Sequence, residues 1–230
     1  MTRHARQWTQ MQPCAADAPH DCGLCPRLKT FRDAQKAPHP DWHNAPINGF
    51  GDLDAKLLVL GLAPGLRGAN CTGRAFTGDG AGELLYPTLQ KSGFASGDFG
   101  HGEEDDDLRL HDCRIVNAVR CVPPLNKPTS AEIAECRGFL GQEIALMSNL
   151  RVIVCLGGVA HRSLIALMGL RQVDYKFGHG AEFKIQTLQG KTITLLDSYH
   201  CSRYNTQTRR LSAEMFEAVF KTAAEITKNA

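Results

Sequence analysis

The pattern of apolar and polar positions predicts strands that alternate with helices along most of the chain. Three apolar runs, at 57–62, 113–119 and 151–157, have no polar face, which is typical of parallel strands covered on both sides. Further β segments are predicted at 182–187 and 192–196. Helices are predicted at about 83–93, from 129 or 130 onward, at 159–168 and at 212–227. This alternation predicts an α/β fold with three layers, α/β/α, around a central and mostly parallel sheet.

The segments between these elements are predicted to be irregular. Residues 1–20 form no clear pattern, so we expect a single domain over 21–230. The proline-rich stretch 37–50 is interpreted as an extended connection over the surface. Residues 95–112 form a polar insertion with an acidic run at 103–107. We expect this run to be a solvated loop away from any phosphate-binding face.

Charge and composition limit the classes of function. The 230 residues carry a formal net charge of only +2, so any contact with nucleic acid must come from a local patch. The chain shows no long apolar run and no apolar signal region at its start, so we expect a cytoplasmic protein without a membrane span. Nine cysteines are many for such a chain, and they point to metal or cluster ligation.

A glycine-rich loop follows the first strand. It runs from 62 to 82 and includes the aromatic Phe76 and the carboxylate Asp79. In open α/β sheets, ligands sit outside the carboxyl ends of the strands. Glycines there let backbone N–H groups approach a ligand closely. The sequence therefore places its main candidate site at this loop.

Four cysteines are candidates for a metal centre. Cys22 and Cys25 form a C-x-x-C pair, whereas Cys121 and Cys136 lie fourteen residues apart. A second C-x-x-C, as in a zinc ribbon, is absent from the sequence, and four scattered thiolates suit a [4Fe–4S] cluster. A redox pair, a zinc site and unrelated buried thiols remain as alternatives. The interpretation as buried thiols is preferred for Cys71, Cys113, Cys155 and Cys201.

Three separated segments together resemble the family 5, or type B, uracil-DNA glycosylases of the uracil-DNA glycosylase superfamily. They are residues 49–79, 117–136 and 198–211. The similarity extends from Cys22 to the end of the chain, and the first segment is its longest and most specific part. The third segment departs from the family pattern His-Pro-Ser-Arg-Gln-Asn-Thr, because Cys201 replaces the proline and Tyr204 the glutamine.

The resemblance implies an enzyme of DNA repair. Such a glycosylase hydrolyses the N-glycosidic bond of uracil, or of other deaminated bases such as hypoxanthine and xanthine, and leaves an abasic site. The implied partner is damaged DNA, double- or single-stranded, and we expect a monomer. The resemblance also implies a [4Fe–4S] cluster, of structural role, on the four candidate cysteines.

Asp79 is the implied catalytic carboxylate. Many related glycosylases carry an acidic residue just after the first strand, where this chain has Leu62. Asp79 matches the type B motif, and a carboxylate there can stabilise the sugar cation and orient the attacking water. The alternative is that Asp79 only caps the following helix, which is a common role of aspartate.

The remaining implied residues have a structural alternative each. Phe76 is a stacking platform for the flipped base or an anchor in the core. Asn117 binds the base edge or fixes a turn, and His200 donates to the departing base or is structural. We expect backbone groups of Gly61, Ala63 and Gly65 in the pocket, and DNA contacts from Arg203, Asn205, Arg209 and Arg210.

Two other classes of protein stay open at this point. One is a non-catalytic nucleic-acid-binding protein on the same scaffold, which a decayed catalytic carboxylate would favour. The other is a cysteine-rich redox or zinc protein. The retained Asp79 argues against the first, and the iron content of the protein separates a cluster from zinc.

Overall fold

A five-stranded sheet lies between two layers of helices in the computed structural model, which describes residues 16–100 and 106–229. The strands are β1 (Leu57–Gly61), β2 (Ala95–Ser96), β3 (Arg109–Leu110), β4 (Cys113–Asn117), β5 (Val152–Leu156), β6 (Glu182–Gln186) and β7 (Thr192–Ser198). The helices are α1 (Pro26–Ala34), α2 (Ala69–Thr72), α3 (Gly82–Lys91), α4 (Ser130–Leu146), α5 (Gly158–Leu167), α6 (Arg203–Gln207) and α7 (Ala213–Lys228).

The central strands are those with unbroken apolar sequence. The strand order is β4-β1-β5-β7-β6, and only the edge strand β6 runs antiparallel to its neighbour. Every residue of β1, β4 and β5 is buried, because helices cover both faces. The predicted three-layer fold with a mostly parallel sheet is confirmed.

Alternate residues of β1 feed two separate apolar cores. Val59 packs in one core with side chains of α3 and α7, whereas Leu58 and Leu60 pack in the other with side chains of α4 and α5. This division follows from the period of two along a strand. It places α3 and α7 on one face of the sheet and α4 and α5 on the other.

Three helices and a short hairpin were not predicted, and one of the helices, the four-residue α2, lies in the glycine-rich loop. Helix α1 buries only Leu28 and Arg32, so its apolar pattern is too weak to stand out in the sequence. Helix α6 buries none of its residues and lies in the segment that we interpreted as a loop. Strands β2 and β3 pair within the predicted polar insertion.

The prediction that the proline-rich stretch crosses the surface is wrong for its middle. Residues 44–47 are buried, and Phe50 forms an antiparallel bridge with Ile115. The backbone N–H of Asn44 donates to the carbonyl of Asn70 over 3.1 Å, so this stretch is bonded to the glycine-rich loop. Backbone pairing replaces solvent contact here, which apolar periodicity alone does not reveal.

The acidic run is only partly solvated. Residues 103–105 lie outside the described part of the chain, and Asp107 is exposed as predicted. Asp106 departs from the prediction, because its side chain is 2% exposed and forms an ion pair with the buried Arg74. A buried guanidinium needs an anionic partner, and Asp106 supplies it.

Two smaller findings complete the fold. Thr129 and Glu132 form a capping box at the start of α4, where a helix was predicted to begin. In the part of the chain that is described, no helix has the length and apolar character needed to cross a membrane.

Candidate active site and cysteine site

The carboxyl ends of β1 and β4 bring the first site residues together. Gly61 and Asn117 are direct partners in the parallel register. A Cβ atom at Gly61 would lie 2.3 Å from Asn117 Oδ1 and 2.6 Å from Phe76 Cζ. Only glycine leaves room at this point for an amide and a phenyl ring, so the last residue of β1 is part of the site.

Phe76 belongs both to the core and to the site. It is 6% exposed, and its φ of +58° is uncommon for an aromatic residue. Its ring centroid lies 6.0 Å from that of His200, with 28° between the ring planes. Strained backbone of this kind clusters at ligand sites, because the surrounding structure must hold it in place. Its place in the core is therefore shown, and its role as a stacking platform stays a prediction.

His200 follows β7 and is held by its own loop. The side-chain amide of Asn205 donates to the carbonyl of His200 over 2.8 Å. Burial lowers the pKa of His200 to about 4. The imidazole is therefore neutral at physiological pH, and it can donate a hydrogen bond from one ring nitrogen without carrying a charge. Asn205 thus fixes this loop, and its expected contact with DNA stays a prediction.

Asp79 stands at the end of the glycine-rich loop. Its Oδ1 accepts the N–H of Ala81 over 3.0 Å, just before α3 begins. Its Oδ2 lies 3.0 Å from the position of a Cβ at Gly65. Desolvation raises the pKa of Asp79, and the Ala81 N–H and the Arg203 guanidinium oppose this rise. One oxygen thus bonds to the N-cap residue Ala81 without capping α3 itself, and the other faces the loop glycines.

Asp79 and His200 approach the site from different elements. Burial raises the pKa of the Cys201 thiol, and the charge of Asp79 adds to this rise. Asp79 is therefore electrostatically close to the residue that follows His200. We use the name base pocket for Gly61, Phe76, Asp79, Asn117 and His200.

The other two predicted backbone residues lie on different sides. Gly65 contacts the carboxylate of Asp79, as described above. Ala63 packs against the small apolar cluster that contains Leu28, Cys121 and Cys136. Ala63 thus lies at the boundary between the pocket and the cysteines, and its predicted backbone contact with a ligand stays a prediction.

The three arginines that we expect to contact DNA are exposed but lie in different surroundings. Arg203 donates to Glu83 Oε1 over 2.8 Å and lies against Gly80, next to Asp79. The guanidinium carbon of Arg210 is 4.6 Å from the centre of the Tyr199 ring. Arg209 is exposed, with a φ of +56°. Arg203 thus lies beside Asp79, and Arg210 lies on the ring of the residue before His200.

Four cysteines line one cavity beside α1. They are Cys22, Cys25, Cys121 and Cys136, the same four that the sequence singled out. We call them the cysteine site. Cys121 and Cys136 are each 6% exposed, and Cys22 and Cys25 are half-buried. Their predicted ligation of a common centre remains a prediction, although the fold brings them from three distant segments to one place.

Comparison with known proteins decides the family. A model of the uracil-DNA glycosylase superfamily matches residues 48–224, which include the base pocket and two of the four cysteines. The chain belongs to the uracil-DNA glycosylase superfamily. Its relatives in that superfamily confirm the resemblance seen in the sequence.

The similar members of the superfamily carry consistent names. A type-5 uracil-DNA glycosylase of Thermus thermophilus is 43% identical over 89% of this chain and 93% of the relative. A type-5 enzyme of Pyrobaculum aerophilum is 32% identical over 89% and 88%. A type-4 enzyme of Archaeoglobus fulgidus is 30% identical over 81% and 85%.

Arginines supply the electrostatic surroundings of the cysteine site in this glycosylase-family chain. Arg32 is 1% exposed and donates from Nη1 to Cys121 Sγ over 3.0 Å. The backbone N–H of Arg120 donates to Cys136 Sγ over 3.3 Å. Arg32 Nε is buried without a hydrogen-bond partner among the described residues. A buried cation that has no carboxylate partner among the described residues fits a site that holds a negatively charged group.

Burial controls the protonation of the thiols in the cysteine site. Within residues 16–100 and 106–229, no group of three or more His, Cys, Asp or Glu side chains is arranged to hold one metal ion. Burial, together with the neighbouring thiols, raises the pKa of Cys25 to about 12 and that of Cys121 to about 11. Binding of a metal group at these cysteines would require the thiols to lose their protons.

Sequence reasoning missed Arg32 and the residues that anchor α1. Arg27 forms two hydrogen bonds of 2.7 Å with Glu132, which joins α1 to the start of α4. A usable signal was present, because Leu28 and Arg32 share one helical face directly after Cys25. The polar composition of α1 concealed it.

Proposed function

We propose that this chain is a monofunctional glycosylase that hydrolyses the N-glycosidic bond of uracil in DNA and leaves an abasic site. One observation carries this proposal: Asn117, Phe76 and His200 meet around Gly61 at the carboxyl ends of three strands, with Asp79 on the loop beside them. The names of the relatives in the superfamily support the same reaction.

Each side chain has a role that its environment suits. Cleavage of the bond develops a cation on the sugar and an anion on the departing base. Asp79 stabilises the sugar cation and orients the water that attacks it. His200, neutral because its pKa is about 4, donates a hydrogen bond to the developing anion. A neutral donor stabilises this anion without transferring its proton beforehand.

Recognition of the base falls to the other two residues. The buried amide of Asn117 offers a donor and an acceptor to the edge of a flipped base. The ring of Phe76 supplies a face on which the base stacks. Among the described residues of the base pocket there is no lysine to act as a nucleophile, so we expect no strand cleavage.

We propose that the cysteine site holds a [4Fe–4S] cluster. When bound, the cluster supplies four iron–sulfur bonds that join Cys22 and Cys25 to Cys121 and Cys136. Arg32 donates to Cys121 Sγ and balances negative charge at the site. This cross-link fixes α1 beside the loop that follows β4, and its role is structural. The proposed setting is a cytoplasmic monomer that binds damaged DNA.

The function is tested with enzyme in excess over short DNA strands that each carry one uracil, hypoxanthine or xanthine. The expected result is free uracil, measured by mass spectrometry, and an abasic strand in both duplex and single-stranded substrates. Tight binding with no base released from any strand would favour a non-catalytic nucleic-acid-binding protein instead.

A further inference from the structure

A second concave surface lies directly beside the base pocket, on the other face of the sheet. It is a groove of about 490 Å³ near the starts of α4 and α5. Leu62 lines the groove, and the preceding residue Gly61 faces the base pocket. Its lining residues are Leu62, Asn126, Lys127, Pro128, Ser130, Ile133, Arg137, Val159, Arg162 and Ser163. We call this surface the phosphate groove.

The groove concentrates positive charge. Lys127, Arg137 and Arg162 line it, and none of its described lining residues is Asp or Glu. Arg162 Nη1 would lie 3.1 Å from a Cβ at Gly158, the first residue of α5. The guanidinium thus lies over a helix N-terminus, whose own partial charge is positive. Like charges gathered in this way create a positive potential that attracts an anion from solution.

Two polar atoms in the groove are buried without a partner. Ser163 is 2% exposed, and its Oγ has no hydrogen-bond partner among the described residues. Arg137 Nε is also buried and has no hydrogen-bond partner among the described residues. Buried polar groups in folded proteins are nearly always hydrogen-bonded, so these two atoms indicate a missing acceptor. The non-bridging oxygens of a phosphate would accept from both.

The loop before α4 shapes one wall of the groove. Leu125 and Asn126 have φ values of +55° and +56°, and Pro123, Pro124 and Pro128 flank them. Leu125 is 87% exposed. Backbone in this region is costly for residues other than glycine, and it is retained where a function requires it. The loop holds Lys127 at the groove and presents an apolar side chain beside it.

We propose that the phosphate groove binds a backbone phosphate of the DNA strand whose base enters the base pocket. This inference rests on the proposed function, since it takes DNA as the substrate. Gly61 and Leu62 are adjacent in the chain and point to opposite sides. One strand of DNA therefore meets the pocket and the groove together. Arg203 and Arg210 bind it on the far side of the pocket.

The test is the salt dependence of binding to an undamaged duplex. Arg162 is exposed, so Arg162→Gln leaves folding intact, and Arg137→Gln removes the second cation. A plot of log affinity against log salt has a negative slope, and each lost phosphate contact makes this slope shallower by about 0.9. Ser163→Ala should weaken binding about tenfold, because a hydrogen bond to a charged group is lost. Arg171→Gln, an exposed change beyond the end of α5, is the matched control and should leave the slope unchanged.

The possible outcomes separate this inference from the proposed function. An unchanged slope in both arginine variants overturns the groove as a phosphate site, even if the wild-type protein releases uracil. A reduced slope in Arg162→Gln and Arg137→Gln, but not in Arg171→Gln, supports it. This second result would stand even if no base were released, because the duplex contains no uracil.

Discussion

The base pocket and the cysteine site follow neighbouring strands yet are built in opposite ways. The pocket is formed by a glycine-rich loop, a phenylalanine with positive φ and a carboxylate near the surface. The cysteine site is largely covered and is tied by hydrogen bonds to sulfur and by the Arg27–Glu132 ion pair. Strained backbone and an exposed carboxylate suit chemistry, whereas cross-links between distant segments suit support. Substitutions in the base pocket should therefore abolish activity without unfolding the protein. Substitutions in the cysteine site should destabilise the fold.

The largest effect is expected at Asp79. Asp79→Asn keeps the shape and the bond to the Ala81 N–H but removes the charge. The single-turnover rate of uracil release should fall by about 10²–10⁴, the usual cost of losing a positioned acid–base group. Affinity for DNA should be retained.

A nearby carboxylate serves as the control for Asp79. Glu83 is exposed, bonds to Arg203 and belongs to α3. Glu83→Gln should change the release rate by less than about threefold, because surface charges interact weakly through water. Equal rates for Asp79→Asn and the wild type would show that Asp79 has only a structural role.

The second effect concerns the stability of the cysteine site. Cys121→Ser should lower iron and sulfide content and reduce the free energy of unfolding by about 4 kcal/mol or more, since loss of a bound metal group is among the largest single-residue effects. Cys71→Ser, at a half-buried cysteine outside the site, should change the free energy of unfolding by less than about 1 kcal/mol. Stoichiometric zinc without iron in protein purified without oxygen would contradict the cluster.

The third effect is a pH dependence of stability that comes from His200. Its pKa in the folded state is about 4, below the ordinary value of 6.5. Between these values the unfolded chain binds more protons, so the stability of the folded state falls as pH drops from 6.5 toward 4. His200→Gln should show a smaller loss over this range in chemical unfolding, whereas His111→Gln, at an exposed position, should match the wild type.

The smallest effect is expected on the rim of the pocket. Arg203→Gln should lower the salt slope of DNA binding by about 0.9 and weaken binding to all sequences alike. The control is Lys91→Gln, because Lys91 lies at the other end of α3 and pairs with Glu217. A slope that stays the same in both variants would remove Arg203 from the DNA contacts.

The sequence predicted the sheet because its strands are buried on both faces. Runs such as 57–62 and 151–157 contain almost nothing but apolar residues, and no other element of comparable length produces that pattern. The site loops were predictable for a related reason. The carboxyl ends of parallel strands meet at one edge, so residues after β1, β4 and β7 had to be neighbours.

The elements that were missed are those whose stability comes from polar or backbone contacts. Helix α1 depends on Arg32 and Arg27, and residues 44–47 depend on backbone bonds to the glycine-rich loop. Asp106 is buried only because Arg74 lies beneath it. Hydrophobic periodicity carries no information on such pairs, because each partner is chosen by tertiary position.

The most direct test of the account is a single-turnover reaction of the wild-type protein with a duplex that contains one uracil. We predict free uracil and abasic strand in equal amounts, with strand breaks appearing only after hot alkali. That result shows hydrolysis of the glycosidic bond without the strand cleavage that a lysine Schiff base would cause. Breakage of the strand without alkali, or an intact uracil strand at saturating enzyme, would contradict it.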